Sequence, residues 1–267
     1  MARIGIRDGQ LPSRLGHFRD APYENDEFMA QLDELLAYGL DKPQLLRVMS
    51  KSLFNRPLER SLRDSLKWWR EKLGKKAFVT FLSDSVASGL ASSSAAAFNA
   101  LIYAWYEKLG KKFTTFMCDG VASGLASPNA AAFNALLLGW YARLGEKFTT
   151  FMCDGVASGL ASPNASAFDA KLHDLCGVVG ADFVTLMSSG VACRILDASF
   201  FAGLVTCYER HSALEERAML LKFVALGVAA IDRLGEAEFW RRVDELCTTF
   251  PRPTQKAALA RLRDHGD

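Results

Sequence analysis

The chain has 267 residues, half of them apolar, and Lys+Arg 32 against Asp+Glu 30 leaves a net charge of only +2. This composition excludes a disordered chain and a strongly basic domain, so any site for a polyanion must come from local placement of charge. No apolar run approaches the ~20 residues that span a bilayer, and the Arg-rich opening MARIGIRDGQLPSRLGHFRD lacks the apolar core of a secretory signal.

In chain order, the apolar spacing first predicts helices over 26–40, 43–54 and 57–73. From there the chain repeats itself. Lys112 to Ala130 reads KFTTFMCDGVASGLASPNA, and 35 residues later Lys147 to Ala165 reads the same nineteen residues. One period upstream stands FVTFLSDSVASGLA (Phe78 to Ala91), and one period downstream FVTLMSSGVA (Phe183 to Ala192). Self-similarity at a fixed period outranks local signals and marks tandem structural units.

Each unit reads as two helices. The first, AAAFNALLLGWYARL over 130–144, follows Ser127-Pro128-Asn129, where Asn suits a cap and Pro cannot sit inside. It ends at Gly145, suited to a left-handed cap. The second is expected as one helix over 147–161, with Phe148, Phe151, Met152, Val156 and Leu160 on one face. Two short helices cannot bury their faces alone, so neighbouring hairpins stack; the predicted fold is an all-α solenoid of tandem helical hairpins with a 35-residue period. The run WWREKLGKK at 68–76 echoes WYEKLGKK at 105–112 and marks 57–73 as the first helix of a divergent unit. Downstream, 200–210, 213–226, 228–234 and 236–250 are expected to be helical, and 251–267 forms a basic end. The organisation is thus an N-terminal cap (1–56), tandem hairpins (57–204) and divergent C-terminal repeats (205–267).

Chemistry-bearing residues are sparse. His17, His173, His211 and His265 stand far apart in no HExxH or GxSxG pattern, so no catalytic residues and no cofactor are expected. Cys118, Cys153, Cys176, Cys193, Cys207 and Cys247 include no CxxC pair, which predicts neither disulfides nor a metal site and points to a reducing compartment. The copied Asp84, Asp119, Asp154 and Ser88, Ser123, Ser158 read as solvated or turn positions.

Three ladders follow from the period. Asn99, Asn134 and Asp169 recur on the first helix, and Ser94, Asn129, Asn164 and Ser199 at the turn before it. An amide carries a donor and an acceptor together, which is what reading a base edge needs; the alternative for the turn positions is a plain helix cap. Lys75 and Lys76, Lys111 and Lys112, then Lys147 follow the Leu-Gly end of successive first helices, where they can meet phosphates or the helix dipole. Trp68, Trp69, Trp105, Tyr106, Trp140 and Tyr141 are expected mainly in the core.

The stretch PNAAAFNALLLGWYARLG with the closing GLASPN resembles a pentatricopeptide repeat, over about residues 60–204 and most closely over 95–164. In that family the fifth and last residues of a unit together select one RNA base. The resemblance therefore implies single-stranded RNA or rRNA as partner, Asn99 with Asn129 and Asn134 with Asn164 as base readers with a pyrimidine preference, and a place in a mitochondrial or other organellar ribonucleoprotein beside protein subunits. It departs from the family where Ala96, Ala131 and Ser166 replace the usual Val or Ile, and the interval from Asn134 to Gly145 is one residue longer than usual. The same segment is similar to octotricopeptide repeats and, more loosely, to tetratricopeptide repeats, which would imply a protein-binding scaffold. Neither membrane nor DNA is an expected partner.

Overall fold

A computed structural model describes residues 26–40, 60–211 and 214–249. The expected helix over 43–54 and the basic end lie outside the described residues. Those that are described form helices and short turns with no strand, and no helix among them is long and apolar enough to cross a membrane. The chain divides into two compact units, Met1–Asn134 and Ala135–Asp267, each of them helical hairpins in tandem.

In the first unit, Asp26–Ala37 is followed by a long run, Arg60–Phe81, that kinks at Gly74 (φ 73°). Then come Asp84–Leu90, Ala95–Leu109, a 3-10 turn at Gly110–Lys112, Phe113–Phe116 and Asp119–Ala126. The core is aromatic: Trp69 stacks on Phe113 at 5.5 Å, and Trp105 packs on Phe116 at 4.8 Å. All four rings are essentially buried, and burial of such large side chains is the dominant stabilisation available to so short a hairpin.

The second unit repeats the plan. Gly145–Lys147, Phe148–Phe151 and Asp154–Leu160 lead to Ala165–Val179, then Gly180–Asp182, Phe183–Leu186, Ser189–Arg194 and Ala198–Arg210. Trp140 packs on Phe151 at 5.0 Å and stacks on Phe183 at 5.6 Å. The unit closes with Leu214–Gly227, Ile231–Leu234 and Glu236–Thr249. The buried Tyr208 hydroxyl donates to the Val179 carbonyl at 3.0 Å, tying one first helix to the end of its predecessor.

The first helices match expectation: Ala130–Leu144 has the predicted bounds. The second do not. The stretch 147–161 is a 3-10 turn, a single helical turn and a separate helix, broken at Met152 (φ −79°, ψ 79°) and the extended Cys153. The Cys153 N–H donates back to the Phe151 carbonyl at 2.9 Å, an inverse γ-turn about Met152. The chain bends there and restarts a helix at Asp154, while Phe148, Phe151, Val156 and Leu160 still reach one core. The restart has a cap position at residues 83, 118, 153 and 188. Ser83 and Ser188 accept there from the N–H of Val86 and Val191, whereas Cys118 and Cys153 make no side-chain cap bond.

Two further expectations are corrected. Asn164 makes no side-chain cap hydrogen bond. The turn is held instead by Ser162, whose hydroxyl donates to the Gly159 carbonyl (2.8 Å) and accepts from the Asn164 N–H (3.2 Å), and Ser127 does the same before Asn129. The serine takes the N–H of the Asn itself, ahead of the helix, and not the first-turn N–H groups that a cap side chain serves. Gly145 has the expected positive φ of 55°, but its counterparts Gly110 (φ 53°, ψ −123°) and Gly180 (φ 61°, ψ −127°) lie in the mirror-β region rather than in the left-handed helix.

Gly124 shows how the halves of a hairpin join the next first helix. A Cβ there would lie 2.4 Å from the Phe133 ring, and Gly89 and Gly159 stand in the same relation to Phe98 and Phe168. The ring lies on bare backbone, so Gly124→Ala forces it away and is expected to cost about 1–3 kcal/mol, measured by denaturant unfolding. Conversely, Cys153→Ser supplies the missing cap and is expected to stabilise by about 1 kcal/mol in the same assay.

Candidate nucleic-acid interface

A first helix buries one stripe and leaves the next row half exposed. In Ala95–Leu109 the stripe is Phe98, Ile102 and Trp105, and the neighbouring row carries Asn99 and Tyr103. The same rows in the following helices give Asn134 and Leu138, then Asp169 and His173.

The row begins with a recurring bond. The Trp69 indole N–H donates to Asn99 Oδ1 at 2.7 Å, Trp105 to Asn134 Oδ1 at 2.8 Å, and Trp140 to Asp169 Oδ1 at 2.7 Å. An indole offers only a donor, so the Asn must turn its oxygen inward, and the orientation of the amide is fixed by chemistry rather than by choice. Asn99 and Asn134 are left with the Nδ2 amine as the group they offer, whereas Asp169 keeps a carboxylate oxygen, which lies 3.7 Å from His173 Nε2.

Asn99 lines a cleft of ≈ 530 Å³ between its own helix and Arg60–Phe81, with Trp68, Tyr103, Ser65, Asp64 and Ala96 around it. The Trp68 and Tyr103 rings meet edge to face at 5.3 Å, and the Lys72 ammonium sits 5.3 Å from the centre of the Trp68 ring. Tyr103 is 40 % exposed, and the carboxylate of Glu107 beside it pushes its phenol above the ordinary range. The cleft therefore combines a ring face, an amide donor and the Asp64 carboxylate, with the Lys72 ammonium beside the Trp68 ring. The sequence ladders single out Asn99 but not Trp68 with Lys72, which the structure places beside it; the available signal was their helical i,i+4 spacing.

Asn129 and Asn164 are exposed at their turns. The lysine ladder is also exposed: Lys75 and Lys76 follow the Gly74 kink, Lys111 and Lys112 sit in their 3-10 turn, and Lys147 lies in the next one beside Glu146. The Lys75 stem covers Gly39, so part of it is structural. At 1.5 Å per residue, the lysines after a first helix stand about 15 Å along its axis from the Asn of that helix.

The buried tryptophans Trp69, Trp105 and Trp140 are core, as expected, while Trp68, Tyr106 and Tyr141 are only partly covered. Of the copied acidic positions, Asp119 and Asp154 are exposed in the first turns of their helices, where they meet the positive end of the dipole. His17 and His265 lie outside the described residues. The structure does bring together a group that the cysteine spacing did not reveal: Cys207, His211 and Asp244 have ligand atoms within 4.8 Å of one another. No family model, curated protein or solved structure matches this chain.

The Trp–Asn bond is directly testable. Trp105→Phe leaves the inward-turned oxygen of Asn134 without its donor and is expected to cost about 1–3 kcal/mol by chemical denaturation. A double-mutant cycle with Asn134→Leu is expected to show coupling of about 1 kcal/mol; strict additivity of the two substitutions would refute the bond.

Proposed function

We propose that this chain is a non-catalytic helical-repeat protein that binds single-stranded RNA, as one subunit of an organellar ribonucleoprotein. The observation that carries the reading is the cleft at Asn99. A base stacked on the exposed part of Trp68 or Tyr103 would meet the Asn99 amide N–H, a donor aimed at an acceptor edge such as the pyrimidine O2 or the cytosine N3. Lys72 stands close enough to neutralise the adjoining phosphate. Asn134, with the same locked amide, is the second reader, and the exposed Asn129 and Asn164 close the two units as the pentatricopeptide resemblance implies. Lys75, Lys76, Lys111, Lys112 and Lys147 hold backbone further along the strand. With so few readers and a net charge of +2, sequence discrimination is slight and the strand is shared with other subunits.

Fluorescence anisotropy with short single-stranded oligonucleotides tests this. The full chain is expected to bind pyrimidine-rich RNA more tightly than purine-rich RNA, with affinity falling as salt rises. Trp68→Ala is expected to cost about 1–3 kcal/mol of binding, and Lys72→Ala to reduce the salt slope by about 0.7. The sharpest variant is Asn99→Asp, which keeps the oxygen that Trp69 needs and exchanges the outward donor for a charged acceptor, so base preference and RNA affinity change while the Trp69 bond is kept. No RNA binding at low salt overturns the proposal, and capture of a peptide in the same cleft would favour the tetratricopeptide-like scaffold.

A further inference from the structure

The second unit holds a cluster of soft and borderline metal-ligating side chains that the RNA reading does not use. Cys207 and His211 are four residues apart at the end of Ala198–Arg210, and Asp244 and Cys247 are three apart on Glu236–Thr249. Each spacing puts its pair on one helical face. Cys207, His211 and Cys247 are all at least 96 % buried, unusual company for a histidine flanked by two carboxylates. His211 Nε2 lies 2.9 Å from Asp244 Oδ1, and its Nδ1 lies 3.4 Å from Glu216 Oε2.

We propose that Cys207, His211 and Asp244, with Cys247 as the fourth donor, bind a zinc ion that staples the C-terminal pair of first helices. The donor set of two thiols, an imidazole and a carboxylate is one that tetrahedral zinc accepts. With bonds of about 2.0–2.3 Å, the donors of such a site stand about 3.3–3.8 Å apart. Cys207, His211 and Asp244 already lie within 4.8 Å of one another, so small side-chain rotations bring these three to an ion, and Cys247, one turn from Asp244 on the same helical face, completes the set. With Nε2 facing the ion, Nδ1 is left to Glu216, the carboxylate that commonly orients a ligating histidine.

Charge also balances. Two thiolates and the carboxylates of Asp244 and Glu216 exceed the charge of the ion by two, and Arg210, 2.8 Å from the other Asp244 oxygen, and Arg217, which donates to the His211 carbonyl at 2.8 Å, supply the compensating cations. Burial pushes the Cys207 thiol up to about 11 and the Cys247 thiol up to about 12, the latter raised further by Cys207, Asp244 and Glu216 nearby. Zinc binding releases the thiol protons to solvent with no change of oxidation state. Cys207 and Asp244 line an open cleft of ≈ 440 Å³ between the two helices, which gives an ion its way in.

Cobalt(II) is the probe, added to metal-stripped full-length chain and then displaced by zinc. The expected result is one cobalt per chain, with a thiolate charge-transfer band and the visible bands of four-coordinate cobalt, and a rise in melting temperature with zinc. Cys207→Ser and Cys247→Ser abolish the charge-transfer band or halve it, while Cys193→Ser, an exposed thiol elsewhere, leaves it intact. Glu216→Gln keeps every ligand and is expected to weaken zinc about 10–100-fold, a readout that survives if a cysteine variant fails to fold. No charge-transfer band, or one that persists undiminished in Cys207→Ser, overturns the site. RNA affinity is measured in parallel, so that loss of the metal site and loss of RNA binding are told apart.

Discussion

The indole N–H of a buried tryptophan reaching across to the oxygen of an Asn or Asp on the next first helix is the constraint on which most else depends. Trp69, Trp105 and Trp140 are each no more than 2 % exposed, so their N–H groups have no water to turn to, and an unmet donor there would carry the full desolvation cost. Meeting it fixes the rotation of one first helix against its predecessor within each unit. The register of the aromatic core follows from that rotation, and so does the side of the helix on which the half-exposed row emerges.

The same bond makes the candidate interface a structural seam and, under the RNA proposal, a reading head. A side chain free to rotate would offer a base either end of its amide. One pinned by an indole offers a single end, at no further entropic cost when a ligand arrives. That the pinned residues are those the pentatricopeptide resemblance singles out is what gives the RNA proposal its physical content. Asn99 in particular sits among ring faces and a lysine rather than on a bare helix.

The first helices were legible because their signals are local: Phe98, Ile102 and Trp105 recur at helical spacing, and a Gly with positive φ follows the first helices at 74, 110, 145 and 180. The break at Met152 was not legible, because Phe148, Phe151, Val156 and Leu160 keep a helix-like spacing through a turn that skips a residue. A trace of it was present in Ser83 and Ser188, cap-forming residues at the cysteine position. The Asn–Trp partnership was also written in the chain, as a tryptophan 29 or 30 residues before each Asn or Asp, but pairing them requires knowing which helix neighbours which. The Cys207–His211–Asp244 cluster escaped because CxxC spacing belongs to loops, whereas here the ligands come from helical faces.

Asp169 shows what the indole bond permits. Its carboxylate satisfies Trp140 as well as an amide does, yet what remains on the outer side is an acceptor with charge instead of a donor. Asn and Asp are separated by the smallest genetic change and are nearly the same shape. A duplicated hairpin of this kind can therefore trade one outward chemistry for its opposite without passing through an unfolded intermediate sequence, and the tryptophan that seems to limit the position is what makes it evolvable.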